Sequence, residues 1–172
     1  IPHNADVISF QVSQGVLKNG FALVRPPGHH AEYEEAMGFC YFNTVAIAAK
    51  QLLRSNPAAR ILIIDWAIHH GNGTQDLLQD DPRVLFISSH EMPLYPGTGD
   101  PSDTGEHDNV INIALKAGTR SKEFREIYEV QVFPRLRAFK PDLILVSAGF
   151  DAHRADPLAN ICLETADFAW VT

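Results

Sequence analysis

The sequence predicts an α/β domain with a mainly parallel sheet and helices on both faces. Four short apolar runs, at residues 61–65, 84–90, 110–115 and 142–147, are continuous rather than alternating, which is typical of strands buried on both faces. Segments with helical spacing lie between these runs, and strands that alternate with helices indicate a parallel sheet. No internal repeat or linker interrupts the 172 residues, so we expect residues 1–172 to form a single domain.

A tight turn follows an earlier apolar run. Residues 21–24 predict a short strand that runs into Pro26 and Pro27, which rule out continued sheet or helix. His29 and His30 therefore fall on a loop at the end of this strand.

The first strong helical pattern covers residues 43–54. Asn43 or Thr44 is the expected N-cap, because either side chain can accept a hydrogen bond from the first turn of the helix. Pro57 then ends the helix, since proline cannot continue the hydrogen-bond ladder.

Weaker helical patterns separate the remaining strands. Residues 74–79 predict a short helix between the first and second buried strands, and a loop rich in Pro and Gly follows at residues 91–108. A long amphipathic helix begins near Ser121, between the third and fourth strands. We expect Pro134 to interrupt that helix.

Composition narrows the function classes. The formal net charge of −7 favours solubility and argues against attraction to nucleic acid or to anionic membranes. The sequence holds no 18-residue apolar run, so no membrane span is expected, and its first residues lack the pattern of a secretory signal. Cys40 and Cys162 are the only cysteines, which argues against a disulfide framework and fits a reduced, cytoplasmic location.

Ionisable residues concentrate in three loops that each follow an apolar strand. These are the loop with His29 and His30, the segment 65–69, and the loop with Asp151 and His153. Ligands of open α/β sheets bind outside the carboxyl ends of the strands. The sequence therefore predicts a site at one edge of the sheet.

The end of the strand at 61–65 has a pattern that suits a metal. Side chains of an extended segment alternate, so Asp65, Ala67 and His69 should face one way. The other face then receives Ile64, Trp66 and Ile68. Carboxylate and imidazole groups both bind zinc, so Asp65 and His69 would supply two ligands and Asp151 a third. Each of these residues alone is more often a cap or a solvated side chain, but their combination favours a metal site.

Four segments carry a resemblance to a known family: RPPGHHAEYEEAMGFCYFN, ILIIDWAIHHGNGTQD, YPGTGDPSDTGE and PDLILVSAGFDAHRADPL. In this order they resemble the zinc-dependent histone deacetylase family, nearest to its class II and bacterial deacetylase-like amidohydrolase branches. The resemblance covers nearly all of the chain from about Gly20. It implies a three-layer arginase/deacetylase-like fold. It also implies a metal-dependent deacetylase that removes acetyl or short acyl groups from lysine side chains or related amines such as polyamines.

The resemblance assigns proton transfer to two adjacent histidines. His30 would be the general base that takes a proton from a zinc-activated water, and His29 would be its electrostatic partner or the acid. Asp65 would hydrogen-bond His29, and Asn72 would support His30. Such partners fix the tautomer of an imidazole and adjust its pKa.

Further residues are implied at the channel and at a second ion. The channel that takes the acyl-lysine arm would be lined by Gly38, Phe39, Tyr95, Gly149 and Leu158. A monovalent cation, often potassium, would be held by Asp65, by main-chain carbonyls near His69, and by Ser88 and Ser89.

The chain departs from the family pattern at one zinc ligand. His69 and Asp151 match two ligands, but the family pattern Asp-Trp-Asp-x-His-His requires an acid where this chain has Ala67. A methyl group donates no electron pair, so we expect zinc binding to be weakened by several orders of magnitude. Neither Asp65 nor His70 is a convincing substitute, because each has another expected place.

A second departure concerns the end of the sequence. The family's transition-state tyrosine, or its histidine replacement, lies well past the SAGFD segment, and its loss typically costs about 10²–10³ in rate. We therefore expect a partial domain, shortened at both ends, with an exposed sheet edge that favours association with other chains or lower stability. The alternative to an active amidohydrolase is a non-catalytic chain that keeps the fold and the acyl-binding channel.

Two smaller features have plainer interpretations. The acidic run at residues 32–35 is expected to be a solvated loop near the mouth of the pocket, where attraction of cationic acyl-amines is the alternative. His90 is expected to be a solvated or hydrogen-bonded histidine rather than a pocket residue.

Overall fold

The structure is a computed structural model that describes residues 3–172. Its strands are β1 (Ile61–Asp65), β2 (Val84–Glu91), β3 (Val110–Leu115) and β4 (Leu143–Ser147). Its helices are α1 (His3–Ser13), α2 (Thr44–Ser55), α3 (Asn72–Leu78), α4 (Ser121–Ile127), α5 (Phe133–Phe139) and α6 (Thr165–Val171). A π-helical segment, Tyr128–Val132, joins α4 to α5. Within residues 3–172, no helix is long and apolar enough to cross a membrane.

The four strands form one parallel sheet in the order β3-β2-β1-β4. Asp65, the last residue of β1, pairs with Ser88 of β2 and with Ser147 of β4. The carboxyl ends of the central strands therefore meet at one edge. The predicted α/β fold with a mainly parallel sheet is confirmed, and the four continuous apolar runs are its strands.

Both faces of β1 and β2, the central strands of the sheet, are covered by apolar clusters, as the sequence predicts. On one face, Leu62 and Ile64 pack with residues of α4, the π-helical segment and α6, including Phe124 and Tyr128. On the other face, Ile61 and Ile63 pack with α2 and α3. Because neighbouring residues of β1 enter opposite clusters, the strand needs a continuous apolar sequence. The result is a three-layer arrangement.

Several predicted boundaries hold closely. Asn43 is the N-cap of α2, where its side-chain oxygen accepts the N–H of Ala46 at 3.0 Å. β2 extends one residue further than expected, to Glu91, and α3 begins two residues earlier, at Asn72. That earlier start places Asn72 at the edge of the site.

The N-terminal part of the chain differs from the prediction. Residues 21–24 do not form a strand, and Phe21 and Leu23 are 71% and 91% exposed. A strand of this sheet requires both a neighbouring strand and a covered face, and this segment has no strand partner among the described residues. Helix α1 was not anticipated; it packs against α2 while Val7 and Phe10 stay exposed, so its apolar residues form no single buried stripe.

The long helix predicted from Ser121 is divided into three pieces. Pro134 lies in the first turn of α5, where its missing N–H and its ring are tolerated. The π-helical segment immediately before it shifts the hydrogen-bond ladder by one residue. The interruption at Pro134 is thus confirmed, and it takes the form of a π-helical segment rather than a break.

Strand β4 lies at an edge of the described sheet. Leu143 and Leu145 pack against the α2 side, whereas Ile144 and Val146 are 48% and 42% exposed. The prediction that this strand is buried on both faces is therefore wrong for one of its faces.

A candidate active site at the carboxyl edge of the sheet

The loop that carries His29 and His30 is fastened to the start of α3. The main-chain oxygen of His29 accepts hydrogen bonds from the N–H groups of Gly73 and Thr74, at 3.0 and 3.2 Å. The first N–H groups of a helix have no partner within the helix, so they are free to hold a neighbouring loop. This attachment brings the two histidines to the edge of the sheet where β1 ends.

Two hydrogen-bonded pairs form what we term the proton-transfer half of the site: His29 with Asp65, and His30 with Asn72. Nδ1 of His29 lies 2.8 Å from Oδ2 of Asp65, and both side chains are buried. Nδ1 of His30 lies 2.7 Å from Oδ1 of Asn72. The centroids of the two imidazole rings are 4.0 Å apart.

The two histidines have opposite pKa shifts. Burial by itself would lower the pKa of His29, but the charge of Asp65 and its hydrogen bond outweigh burial and raise this pKa above its ordinary value. Burial and the neighbouring His29 lower the pKa of His30 to about 4. Two titratable groups whose pKa values are pushed apart in this way suit separate roles as cation and as neutral base.

The other group, which we term the metal half, contains His69, Asp151 and Ala67. Nδ1 of His69 lies 3.1 Å from Oδ2 of Asp151, and Oδ1 of Asp151 accepts the N–H of Ile68 at 2.9 Å. Burial would raise the pKa of Asp151, but the hydrogen bonds from His69 and Ile68 lower it. The ring centroids of His69 and His30 are 6.1 Å apart, so the two halves face a common space.

The residues of the metal half do not fit a zinc site with three protein ligands. Catalytic zinc usually has three such ligands and keeps one position open. Ala67 offers a methyl group beside Asp151, and across residues 3–172 no three His, Cys, Asp or Glu side chains converge where they could hold a metal. The donors present, His69 and Asp151, hydrogen-bond each other instead.

Asp65 and His70, which the sequence makes unconvincing substitutes for the missing ligand, both have other partners in the structure. Both carboxylate oxygens of Asp65 are engaged, one with His29 and the other with the N–H of Ala67 at 3.1 Å. His70 is held by Thr98 and Gln75, at 2.8 and 3.0 Å.

The alternation predicted after β1 is confirmed on its apolar side, because Ile64, Trp66 and Ile68 all belong to one buried cluster.

The predicted channel residues differ in how closely they approach the histidines. Gly38, at φ 54°, packs directly against the ring of His30, where a Cβ would overlap it. The ring of Tyr95 lies 5.2 Å from that of His30 and 6.3 Å from that of His69. Gly149 faces Ala67, and a Cβ on it would lie 2.5 Å from the methyl group of Ala67.

Two channel residues lie further out. Phe39 is 91% exposed and lines a cavity of about 410 Å³ together with Arg25, Pro26, Pro27 and Tyr41. Leu158 is 69% exposed on the loop after β4. Its place at the rim of the channel stays a prediction.

The residues expected to hold potassium point in different directions. The hydroxyl of Ser88 lies 3.0 Å from Nδ1 of His90, whereas the hydroxyl of Ser89 lies 2.8 Å from that of Tyr128, on the side of the sheet covered by α4. Asp65 is fully buried. The potassium site, with Asp65, main-chain carbonyls near His69, Ser88 and Ser89, therefore stays a prediction.

A buried polar network beside the site was not anticipated from the sequence. Gln75 accepts from His70 and from Asn112, and donates to Asp103 at 2.6 Å. His90 donates from Nε2 to the main-chain oxygen of Gly99 at 2.9 Å, so it is buried and hydrogen-bonded. Because its members come from separate elements, only the assembled fold shows that this network fastens the loop that carries Tyr95.

The acidic run at residues 32–35 is also different from the expectation. Glu32 is half-buried, and its Oε1 accepts a hydrogen bond from Nδ2 of Asn72 at 2.6 Å. The prediction of a solvated loop is therefore wrong at this residue, while Glu34 and Glu35 are exposed. The spacing of 40 residues between Glu32 and Asn72 gave no signal of the contact.

Comparison with known proteins agrees with this geometry. The family model described as "Histone deacetylase domain" matches residues 7–172. The chain belongs to the histone deacetylase family. Among solved structures, the crystal structure of the HDA15 HD domain superposes on this family member with a TM-score of 0.93 at 38% identity, covering 99% of this chain and 52% of that one.

Relatives of this histone deacetylase-family chain come from distant organisms. Histone deacetylase 14, chloroplastic, of Arabidopsis thaliana is 48% identical over 152 residues, which are 87% of this chain and 36% of that protein. Histone deacetylase 7 of Homo sapiens is 47% identical over 160 residues, 87% of this chain and 17% of that protein. An uncharacterized protein of Synechocystis is 51% identical over 152 residues, which are 88% of this chain and 50% of that protein. The chain thus spans half or less of the length of these three curated relatives.

Proposed function

We propose that this chain is the catalytic-type domain of an amidohydrolase that removes acetyl or short acyl groups from lysine side chains or related amines such as polyamines. The observation that carries the proposal is the intact proton-transfer half. A neutral His30 stands beside a buried His29–Asp65 pair, within reach of the space that His69 and Tyr95 also face. Membership of the histone deacetylase family supports the same reaction class.

The chain's own residues have distinct tasks in amide hydrolysis. His30, with its pKa lowered to about 4, is neutral at pH 7 and can accept a proton from an attacking water through Nε2. His29, whose pKa is raised by Asp65, holds positive charge close by and would stabilise a developing oxyanion. Tyr95 and Gly38 shape a narrow approach for the acyl arm.

Zinc dependence is the part of the proposal that the metal half does not support. His69 and Asp151 would be the two remaining ligands, and Ala67 leaves the set incomplete. This favours a second candidate function, a domain that binds acylated amines in the channel without hydrolysing them efficiently. We propose hydrolysis as the reaction class and expect its rate in this chain to be low.

One experiment separates the two candidates. Purified protein with added zinc is incubated with an acetyl-lysine peptide while released acetate is measured, and binding of the same peptide is measured by calorimetry. Acetate release above that of a His29→Ala/His30→Ala double variant supports hydrolysis. Binding without release of acetate supports the second candidate. If the peptide is neither bound nor hydrolysed, both candidates are contradicted.

The remaining properties of the whole protein are proposals as well. Acetylated lysine or an acetylated amine is the proposed partner, with no direct role for nucleic acid or membranes and with association between copies left to measurement. The cytoplasmic location expected from the two cysteines stays a prediction.

A further inference from the structure

We propose that Glu32 is a positioning residue that, through the side-chain amide of Asn72, holds His30 in the tautomer whose Nε2 is free to accept a proton. The importance of this tautomer rests on the proposed function, in which His30 is the base. The tautomer itself is a property of the folded chain, and it can be measured in a protein with no activity.

Asn72 lies between the two residues. Its Oδ1 is 2.7 Å from Nδ1 of His30, and its Nδ2 is 2.6 Å from Oε1 of Glu32. Asn72 is buried, and as the first residue of α3 it has a fixed main chain. The side-chain amide can therefore still adopt two orientations, with either its oxygen or its NH₂ group facing His30.

The charge of Glu32 decides the orientation of that amide. An ionised carboxylate only accepts hydrogen bonds, so the NH₂ group of Asn72 must face Glu32. The opposite orientation would bring two acceptor oxygens within 2.6 Å of each other in a partly buried place. The other neighbours of Nδ2, the main-chain oxygen of His30 at 3.4 Å and Sδ of Met37 at 3.1 Å, are acceptors as well, but both are uncharged.

The orientation of the amide then decides the tautomer of His30. Because the carbonyl oxygen of Asn72 only accepts, Nδ1 of His30 must carry the hydrogen that is shared at 2.7 Å. A neutral imidazole has one such hydrogen, so Nε2 keeps its lone pair. Glu32 thus acts on His30 over two hydrogen bonds without touching it.

Charge reversal at residue 32 should reverse the direction of both hydrogen bonds between residue 32, Asn72 and His30. The ammonium group in a Glu32→Lys variant only donates, so the carbonyl of Asn72 would turn towards it and the NH₂ group would face His30. Nδ1 would then accept and Nε2 would carry the hydrogen, which removes the base. Adding Asn72→Asp restores the original tautomer, because a carboxylate accepts from both neighbours.

The test reads the tautomer of His30 by long-range ¹H–¹⁵N NMR on the uniformly labelled full chain at neutral pH, with a His30→Gln variant used to assign the signals. The unaltered protein should show a protonated Nδ1 and an unprotonated Nε2. These two signals should exchange places in Glu32→Lys and return in Glu32→Lys/Asn72→Asp. Glu32→Gln is the conservative control, because its carbonyl still accepts from Asn72 and should keep the tautomer.

Glu32→Leu guards against misfolding of the charged variant. It removes the acceptor without adding a donor, and it should give a mixture of tautomers in a protein whose backbone spectrum is otherwise unchanged. An Nε2–H tautomer in the unaltered protein, or an unchanged tautomer in Glu32→Lys or in Glu32→Leu, would overturn the proposal. Absence of deacetylase activity in every variant would count against the proposed function alone.

Activity supplies a second measurement in an Ala67→Asp background. There Glu32→Lys should lower kcat by about 10²-fold, the usual value of a general base, with little change in KM. The Asn72→Asp addition should recover most of that loss. A fall in kcat together with a rise in KM, neither reversed by Asn72→Asp, would assign Glu32 a merely structural role.

Discussion

The two halves of the candidate site contain the same kinds of side chain in different surroundings. In the proton-transfer half, His29 and His30 are buried and each imidazole has its partner, Asp65 or Asn72. In the metal half, His69 and Asp151 are 20% and 24% exposed and hydrogen-bond each other. One half is therefore complete by itself, whereas the other lacks a donor that the fold does not replace.

Restoring a carboxylate in the metal half should have the largest effect. Ala67→Asp should raise zinc affinity at least about 100-fold, since even the loss of an outer partner of a ligand typically costs 10–100-fold. Competition with a chelating indicator measures the affinity. Ala67→Asn, of nearly the same size but uncharged, is the matched control and should gain much less. Equal affinity in the Ala67→Asp and unaltered proteins would erase the contrast between the halves.

Removing the base from the proton-transfer half should have the next largest effect. In an Ala67→Asp protein loaded with zinc, His30→Ala should lower kcat by about 10²–10⁴-fold, because the attacking water loses its proton acceptor. Acetate release measures the rate. His107→Ala is the control, since His107 is exposed and hydrogen-bonds the main chain of Asp80 away from the site. Similar rates for both variants would place the base elsewhere.

A glycine substitution tests how tightly the proton-transfer half is packed. Gly38→Ala adds a methyl group that overlaps His30, and we expect it to lower the free energy of unfolding by about 1–3 kcal/mol. Gly97→Ala separates conformational strain from overlap, because Gly97 also has a positive φ, 87°, but apart from Gly97 and its two chain neighbours no atom of the described residues lies within 4 Å of its added Cβ. Urea unfolding measures the free energy of unfolding of both variants. Equal losses of stability would show that the ring of His30 moves aside without cost.

The smallest expected effect concerns the charge on His29. In Asp65→Asn the raising influences of the carboxylate are lost while burial remains, so the pKa of His29 should fall below its ordinary value of 6.5. With the raised pKa, this imidazole stabilises the fold below pH 6.5 and loses that contribution as pH rises through the folded pKa. In the variant its protonation at acid pH should oppose folding. An NMR titration of His29 that is unchanged by Asp65→Asn would contradict this account.

The sheet was predictable because its physical requirement is local. A strand covered on both faces needs a continuous apolar run, and β1 to β3 each follow from such a run. The segment at 21–24 is equally apolar, but strand formation also needs a partner, which short-range sequence does not specify. The exposure of Ile144 and Val146 on β4 likewise depends on what lies beside the strand, not on its own residues.

The site was predictable to the extent that topology determines it. Parallel strands bring their carboxyl ends to one edge, which is why Asp65 at the end of β1 and Asp151 after β4 converge. The loop with His29 follows no strand and is held at this edge by the first N–H groups of α3. The contact of Glu32 with Asn72 was not predictable, because it depends on how a loop folds back on α3. Nothing local in an acidic run marks which of its residues will be half-buried and hydrogen-bonded.

The network around Gln75 ties the loop that carries Tyr95 to strand β3. Asn112 on β3 donates to Gln75 at 3.0 Å and to the main-chain oxygen of Asp103 at 3.2 Å, while His70 meets Thr98, three residues after Tyr95. The position of the loop that carries Tyr95 therefore depends in part on Asn112, a side chain on an outer strand of the described sheet. Under the proposed function, exchanging residues on that strand would change which acyl groups pass Tyr95 and would leave His29 and His30 untouched.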